Sequence, residues 1–203
     1  MGKLFLASVG GKVLNKIISL LGKNPNELTV AFVPTAADPY KDKWYIKEDR
    51  DALVKVGFKV FDLDIKDKTE KEIRIDLNRA NIIFVAGGNS FYLLEKSNES
   101  GFPKAVKDFV DQGKDYIGSS AGSVLAGPNI QPVDVFDDPK DAPNLKSTKG
   151  LGLTDIVILP HYGDMKELPL FNKVIRKWES KYTLVTITND QLVFISDTEI
   201  KIL

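Results

Sequence analysis

The chain has 203 residues, 43% of them hydrophobic, enough to bury one substantial core and in keeping with a single domain over 1–203. Lys plus Arg and Asp plus Glu number 28 each, so no net field draws the surface to nucleic acid or to an anionic membrane, and neither is expected as a partner. The absence of cysteine excludes disulfides, thiolate metal sites and a cysteine nucleophile.

Short Val- and Ile-rich runs alternate with longer amphipathic stretches, the pattern of a three-layer α/β fold with a mostly parallel central sheet. Residues 3–9 predict the first strand. Their apolar run is too short for a signal-peptide core or a membrane span, which makes the cytoplasm the expected compartment. Further strands are expected over 28–33, 59–63, 82–86 and 115–118; none alternates cleanly, which predicts burial on both faces. Helical spacing places covering helices over 13–21, 44–56, 69–78 and 104–111. After Ser120 a short helix, a strand-like stretch over 130–136 and an Asp-, Pro- and Lys-rich surface loop over 137–150 are expected. A buried strand Ile156–Leu159, a helix Leu168–Trp178 and a terminal strand pair, 184–188 with 192–196, complete the chain.

The sharpest feature is Gly118-Ser119-Ser120-Ala121-Gly122, a Gly-x-Ser-x-Gly between a strand and a helix. A tight strand-to-helix turn needs small neighbours, and such an elbow projects the Ser120 hydroxyl from the carboxyl end of the sheet, with the Ala121 amide facing an oxyanion. A plain turn or a phosphate cradle uses the same small residues. A serine nucleophile needs a base, and the chain holds one histidine, His161, just past a predicted strand end in Leu159-Pro160-His161-Tyr162-Gly163. The second oxyanion donor is expected at Gly88 in Ala86-Gly87-Gly88-Asn89, where paired glycines expose backbone amides; Asn89 also reads as a helix N-cap. For the acid that would orient His161, two residues stand out: Asp190, in an Asn-Asp turn after a strand, and Asp134, in an acidic stretch. Spacing does not choose between them.

These motifs together resemble the peptidase family S51, which contains aspartyl dipeptidase (dipeptidase E) and, more distantly, cyanophycinase. Ala86-Gly87-Gly88-Asn89-Ser90-Phe91 is similar to that family's Gly-Gly-Asn-Thr-Phe segment, Gly118-x-Ser120-Ala121-Gly122 to its nucleophile turn, and Pro160-His161-Tyr162 to its histidine site. The resemblance implies a flavodoxin-like fold related to the class I glutamine amidotransferases, with serine in place of their cysteine, and a serine, histidine and acid triad. It aligns the family's glutamate with Asp190 and leaves the Asp134 region as the alternative acid. It also implies a short peptide substrate, Asp-Xaa dipeptides among them. The cations that could meet an aspartyl carboxylate between His161 and Asp190 are Lys166, Lys173, Arg176 and Lys177, residues that a solvated helix face would equally explain.

The expectation is thus a serine-type peptidase, monomer or homodimer, that acts through an acyl-enzyme and requires no metal or organic cofactor. An esterase or other acyl hydrolase would use the same residues. A non-catalytic protein holding a small anion at the turn after Gly118 is a rival of another class, and its binding would survive loss of His161.

Overall fold

The computed structural model describes residues 1–163 and 165–203. Its strands are β1 (Leu4–Ala7), β2 (Thr29–Val33), β3 (Lys59–Asp62), β4 (Ile82–Val85), β5 (Asp115–Ser119), β6 (Ile156–Leu159), β7 (Thr183–Thr186), β8 (Leu192–Ile195) and β9 (Ile200–Ile202). The helices are α1 (Leu14–Leu21), α2 (Trp44–Lys55), α3 (Glu70–Asn78), α4 (Ser90–Ser100), α5 (Phe102–Asp111), α6 (Ala121–Ala126) and α7 (Leu168–Trp178). Seven strands share one sheet in the order β3-β2-β4-β5-β1-β8-β9, the first five mutually parallel and the last two antiparallel additions. β6 and β7 form a separate parallel pair.

The period of two along each strand sends neighbours to opposite faces and builds two cores. Leu4, Leu6, Val33, Ile83 and Val85 join residues of α3 to α7 and of β6 on one side. Phe5, Phe32, Phe84 and Phe194 pack with Leu14, Ile17 and Leu53, from α1 and α2, on the other. The result is the expected three-layer, mostly parallel, flavodoxin-like α/β architecture. Local chemistry sets the element ends. Thr69 and Glu72 close a reciprocal capping box at the start of α3. Asn89 Oδ1 accepts from the amides of Phe91 and Tyr92 at 2.9 and 3.0 Å to cap α4.

Three expectations are corrected. β3 is an edge strand with Lys59 and Asp62 exposed, so it is not buried on both faces. The stretch 130–136 is not a strand: it holds a 3-10 turn, Gln131–Val133, in which Pro132 has no amide hydrogen to give to a ladder. The terminal strands do not pair with each other. β7 returns parallel to β6 after the crossover through α7, whereas β8 fills the slot beside β1 and lies between it and β9. The acidic segment over 137–150 is the expected surface loop, and it is pinned to α4. Asn89 Nδ2 donates to Asp138 O and Asp141 Oδ2, both at 2.9 Å, and the Asn144 amide donates to Glu95 at 2.6 Å.

Among the described residues no helix is long and apolar enough to cross a membrane.

Candidate active site

Parallel strands all point their carboxyl ends the same way, so the loops that follow them gather at one edge of the sheet. At the end of β5 the chain turns through Ser120 at φ 51° and ψ −110°, then enters α6. A non-glycine residue at such angles costs on the order of 1–3 kcal/mol and persists where the surroundings over-determine it. They do so here. The Ser120 amide donates to Ala7 O at 3.0 Å, and Ser123 Oγ donates to Ala7 O at 2.7 Å and to Gly118 O at 2.9 Å. The motif glycines serve close approach: a Cβ on Gly122 would lie 2.1 Å from Val85 O, and one on Gly118 would lie 2.6 Å from the Ser123 amide.

His161 follows β6, also at positive φ, 65°. Its backbone is held by Ser8, the residue after β1: the His161 amide donates to Ser8 Oγ at 2.8 Å. The next peptide is tied to β7's extension, with the Tyr162 amide donating to Ile187 O at 3.0 Å. So held, the imidazole has partners at both ring nitrogens, Ser8 Oγ among them at 3.2 Å from Nδ1. Nε2 lies 2.8 Å from Ser120 Oγ, and Nδ1 lies 2.7 Å from Asn189 Oδ1. Ser8 Oγ completes the group by donating to Asn189 Oδ1 at 3.0 Å.

Asn189 sits in the turn Thr188–Gln191, closed by the Gln191 amide on Thr188 O at 3.0 Å, and the turn presents it rather than its neighbour to the histidine. Asp190 is exposed, its carboxylate accepts from Thr188 Oγ1 at 2.5 Å, and that bond holds its pKa down. Asp134 is elsewhere, accepting from Gln131 Nε2 at 2.9 Å with Lys177 at 3.7 Å. Neither carboxylate is brought to His161. Among the described residues, Asp137 lines a cavity with Ser120 and His161, and its Oδ2 accepts the Ser90 amide at 2.9 Å. Burial pushes its pKa up, opposed by Ser90 and by the charge of His161.

Gly87 and Gly88 reach the site from the end of β4. A Cβ on Gly87 would lie 3.2 Å from Ser120 Cβ, and Gly88 takes φ 141°, where a Cβ would collide with Ala36 O at 2.1 Å. Two cavities meet at Ser120 and His161. The larger, about 660 Å³, is walled by Tyr40, Trp44, Tyr45 and Gly88 and holds both cations and carboxylates. The smaller, about 330 Å³, lies between α7 and the segment before Asp137, with Ala121 at its base. Behind the turn, Asp49 is buried on α2 with its Oδ1 accepting the Gly11 amide at 2.8 Å, while Ser119 Oγ accepts the Gly10 amide at 2.9 Å. Lys173, Arg176 and Lys177 line a separate groove on α7. Among the described residues no group of three or more His, Asp or Glu is placed to share a metal ion.

Ser8, Asn189 and Asp137 are the residues that sequence reasoning passed over. Ser8 and Asn189 follow strands as Ser120 and His161 do, and that shared position is the signal that could have found them.

The family model described as Peptidase family S51 matches residues 4–203. An uncharacterized peptidase of Pasteurella multocida (strain Pm70) is 32% identical over 97% of this chain and 95% of its own length. A Drosophila melanogaster protein named a probable alpha-aspartyl dipeptidase is 39% identical over 71% of this chain, a stretch that is 56% of that protein. The crystal structure of a candidate peptidase E protein from Listeria monocytogenes EGD-e superposes with a TM-score of 0.92 and 32% identity, covering 100% of this chain and 98% of that one.

Proposed function

The chain belongs to peptidase family S51 and is a peptidase, and we propose that it is a serine-type one, a single domain over 1–203 that hydrolyses short peptides through an acyl-enzyme on Ser120. The observation that carries this reading is the 2.8 Å contact between Ser120 Oγ and His161 Nε2, made by two residues both held at positive φ on strand ends. With Nδ1–H donated to Asn189 Oδ1, the lone pair of Nε2 faces the serine hydroxyl, the tautomer a general base needs.

In the reaction, His161 takes the Ser120 proton as Oγ adds to the scissile carbonyl. The oxyanion is received by the amides of Gly88 and Ala121, dipoles already fixed by the fold and therefore requiring no reorganisation. His161 returns the proton to the leaving amine, the C–N bond breaks, and the acyl group stays on Ser120. A water, deprotonated by His161, then releases the acid. Asn189 supplies orientation without charge, so the imidazolium is stabilised less than a carboxylate would stabilise it.

The relative's name makes Asp-Xaa dipeptides the first substrates to try. The test is turnover of a panel of dipeptides, amino-acyl anilides and esters by the wild type beside Ser120→Ala and His161→Ala, with mass analysis after a serine-directed phosphonate. Loss of about a thousandfold or more in both variants, with phosphonate mass on Ser120, is the expected result. A wild type that turns over nothing and takes up no phosphonate ends the reading.

A further inference from the structure

The smaller cavity carries an inference about what the peptidase accepts, and it rests on the reading of Ser120 and His161 as the reacting pair. Its wall is apolar: Val124, Val133, Phe136, Leu170 and Phe171 face it, with Ser120, Ala121 and His161 at one end. At about 330 Å³ it lies at the small end of the roughly 300–1,000 Å³ typical of ligand sites, room suited to one residue rather than a chain.

Within this apolar wall stand two polar groups that the fold leaves incomplete. Ser90 is 1% exposed and lines the cavity, and its hydroxyl lies beside the Asp137 carboxyl, whose pKa it lowers, without a hydrogen bond of good geometry to it or to any other described residue. Buried hydroxyls are ordinarily satisfied, so an orphan at a cavity wall marks a place for a ligand's polar atom. Beside it, Asp137 lines the same cavity, with one oxygen on the Ser90 amide and its carboxyl pushed up by burial. A carboxylate drawn out of water gains most from a cation that also donates hydrogen bonds. An ammonium group has three donors and no acceptor, which suits a carboxylate oxygen and a serine oxygen side by side.

We propose that this cavity binds the N-terminal residue of the substrate, with its free ammonium on Asp137 and Ser90 and an apolar side chain against Val133, Phe136, Leu170 and Phe171. The scissile carbonyl of that residue then lies toward Ser120, and the rest of the peptide leaves through the larger cavity. An aspartyl side chain is disfavoured: among the described residues lining the cavity there is no Lys or Arg, and its acidic residues, Asp137 and Glu167, repel it. Substrates of the type Leu-Xaa and Phe-Xaa with a free amino terminus are therefore preferred.

The experiment is calorimetric titration of the Ser120→Ala protein with leucinamide, N-acetyl-leucinamide and aspartic acid α-amide. Binding in this variant needs no turnover, so the result is read separately from the serine mechanism. Leucinamide is expected to bind at least about tenfold more tightly than either of the others, a difference of about 1.4 kcal/mol. Adding Asp137→Asn or Ser90→Ala is expected to remove that advantage while leaving the N-acetyl compound unchanged. Equal binding of the free and acetylated amides overturns the ammonium site, and so does no binding at all. Tighter binding of the aspartyl amide overturns the apolar preference. The comparison of ligands on one protein stands even where a second substitution disturbs folding. If Asp137 acted only on His161, Asp137→Asn would leave leucinamide affinity in place, and that outcome also defeats the proposal.

Discussion

His161 Nδ1 and Asn189 Oδ1 lie 2.7 Å apart, so the imidazole is oriented by an uncharged amide while the adjacent carboxylate, on Asp190, turns away to Thr188. An amide oxygen fixes the tautomer as well as a carboxylate does but offers no negative charge to the imidazolium that forms during reaction. Asn189→Asp is therefore expected to raise kcat/KM by about tenfold, the worth of roughly one pKa unit of extra stabilisation. Asn189→Ala should lower it by about ten- to a hundredfold, whereas Asp190→Ala should change it by less than about twofold. Steady-state kinetics of the three variants on one peptide decides this; equal losses at Asn189 and Asp190 would contradict the geometry.

Ser8 does two things at once, accepting the His161 amide at 2.8 Å and donating to Asn189 at 3.0 Å. Ser8→Ala leaves an amide of a strained residue without its partner and should reduce kcat more than it raises KM, with a stability loss of about 1–3 kcal/mol. Urea denaturation read beside the kinetics separates the two effects.

Gly88 occupies φ 141° with Ala36 O where a Cβ would go. Gly88→Ala is expected to destabilise the fold by about 1–3 kcal/mol and to move the oxyanion donor, cutting kcat by about a hundredfold. Fluorescence-monitored unfolding checks the first figure and turnover the second. A variant that keeps full activity would remove Gly88 from the site.

The buried carboxyl of Asp49 gives stability a pH dependence. Burial raises its folded pKa above the ordinary 3.8, against the pull of the Gly11 amide and Ser119. A raised acid binds its proton more tightly in the folded state, so stability is full below the unfolded value and falls as pH rises from about 4 through the folded value. Asp49→Asn keeps an acceptor for Gly11 and removes the charge, so its stability should decline less than that of the wild type between about pH 4 and pH 8. Asp115 and Asp137 are raised by burial too, so the slope is expected to shrink rather than vanish. Parallel slopes for the two proteins would refute the assignment.

Thr69 serves as a control far from the chemistry. Its capping box starts α3, and Thr69→Ala should cost about 1 kcal/mol with unchanged kcat/KM. Thermal unfolding with a parallel assay measures both.

The amino-acid sequence by itself determined what local chemistry determines. Alternating apolar runs and amphipathic stretches announced the parallel sheet and its helices within a residue or two, and Asn89 and Thr69 marked helix starts. Gly-x-Ser-x-Gly pointed to the Ser120 turn because close packing admits no side chain at Gly118 or Gly122, and a lone histidine left one choice of base. Tertiary structure alone decided the rest. Ser8 and Asn189 are 181 residues apart, and only the antiparallel pairing of β8 with β1 puts the turn before β8 next to the end of β1. That pairing, with the Thr188–Gln191 turn, selects Asn189 over Asp190 by a single position, a distinction of side-chain direction that no spacing rule encodes. Similarly, composition reads the acidic segment over 137–150 as a surface loop but reports its charge and not its partners. Its docking on Asn89, Ser90 and Glu95 arises from long-range hydrogen bonds made across α4.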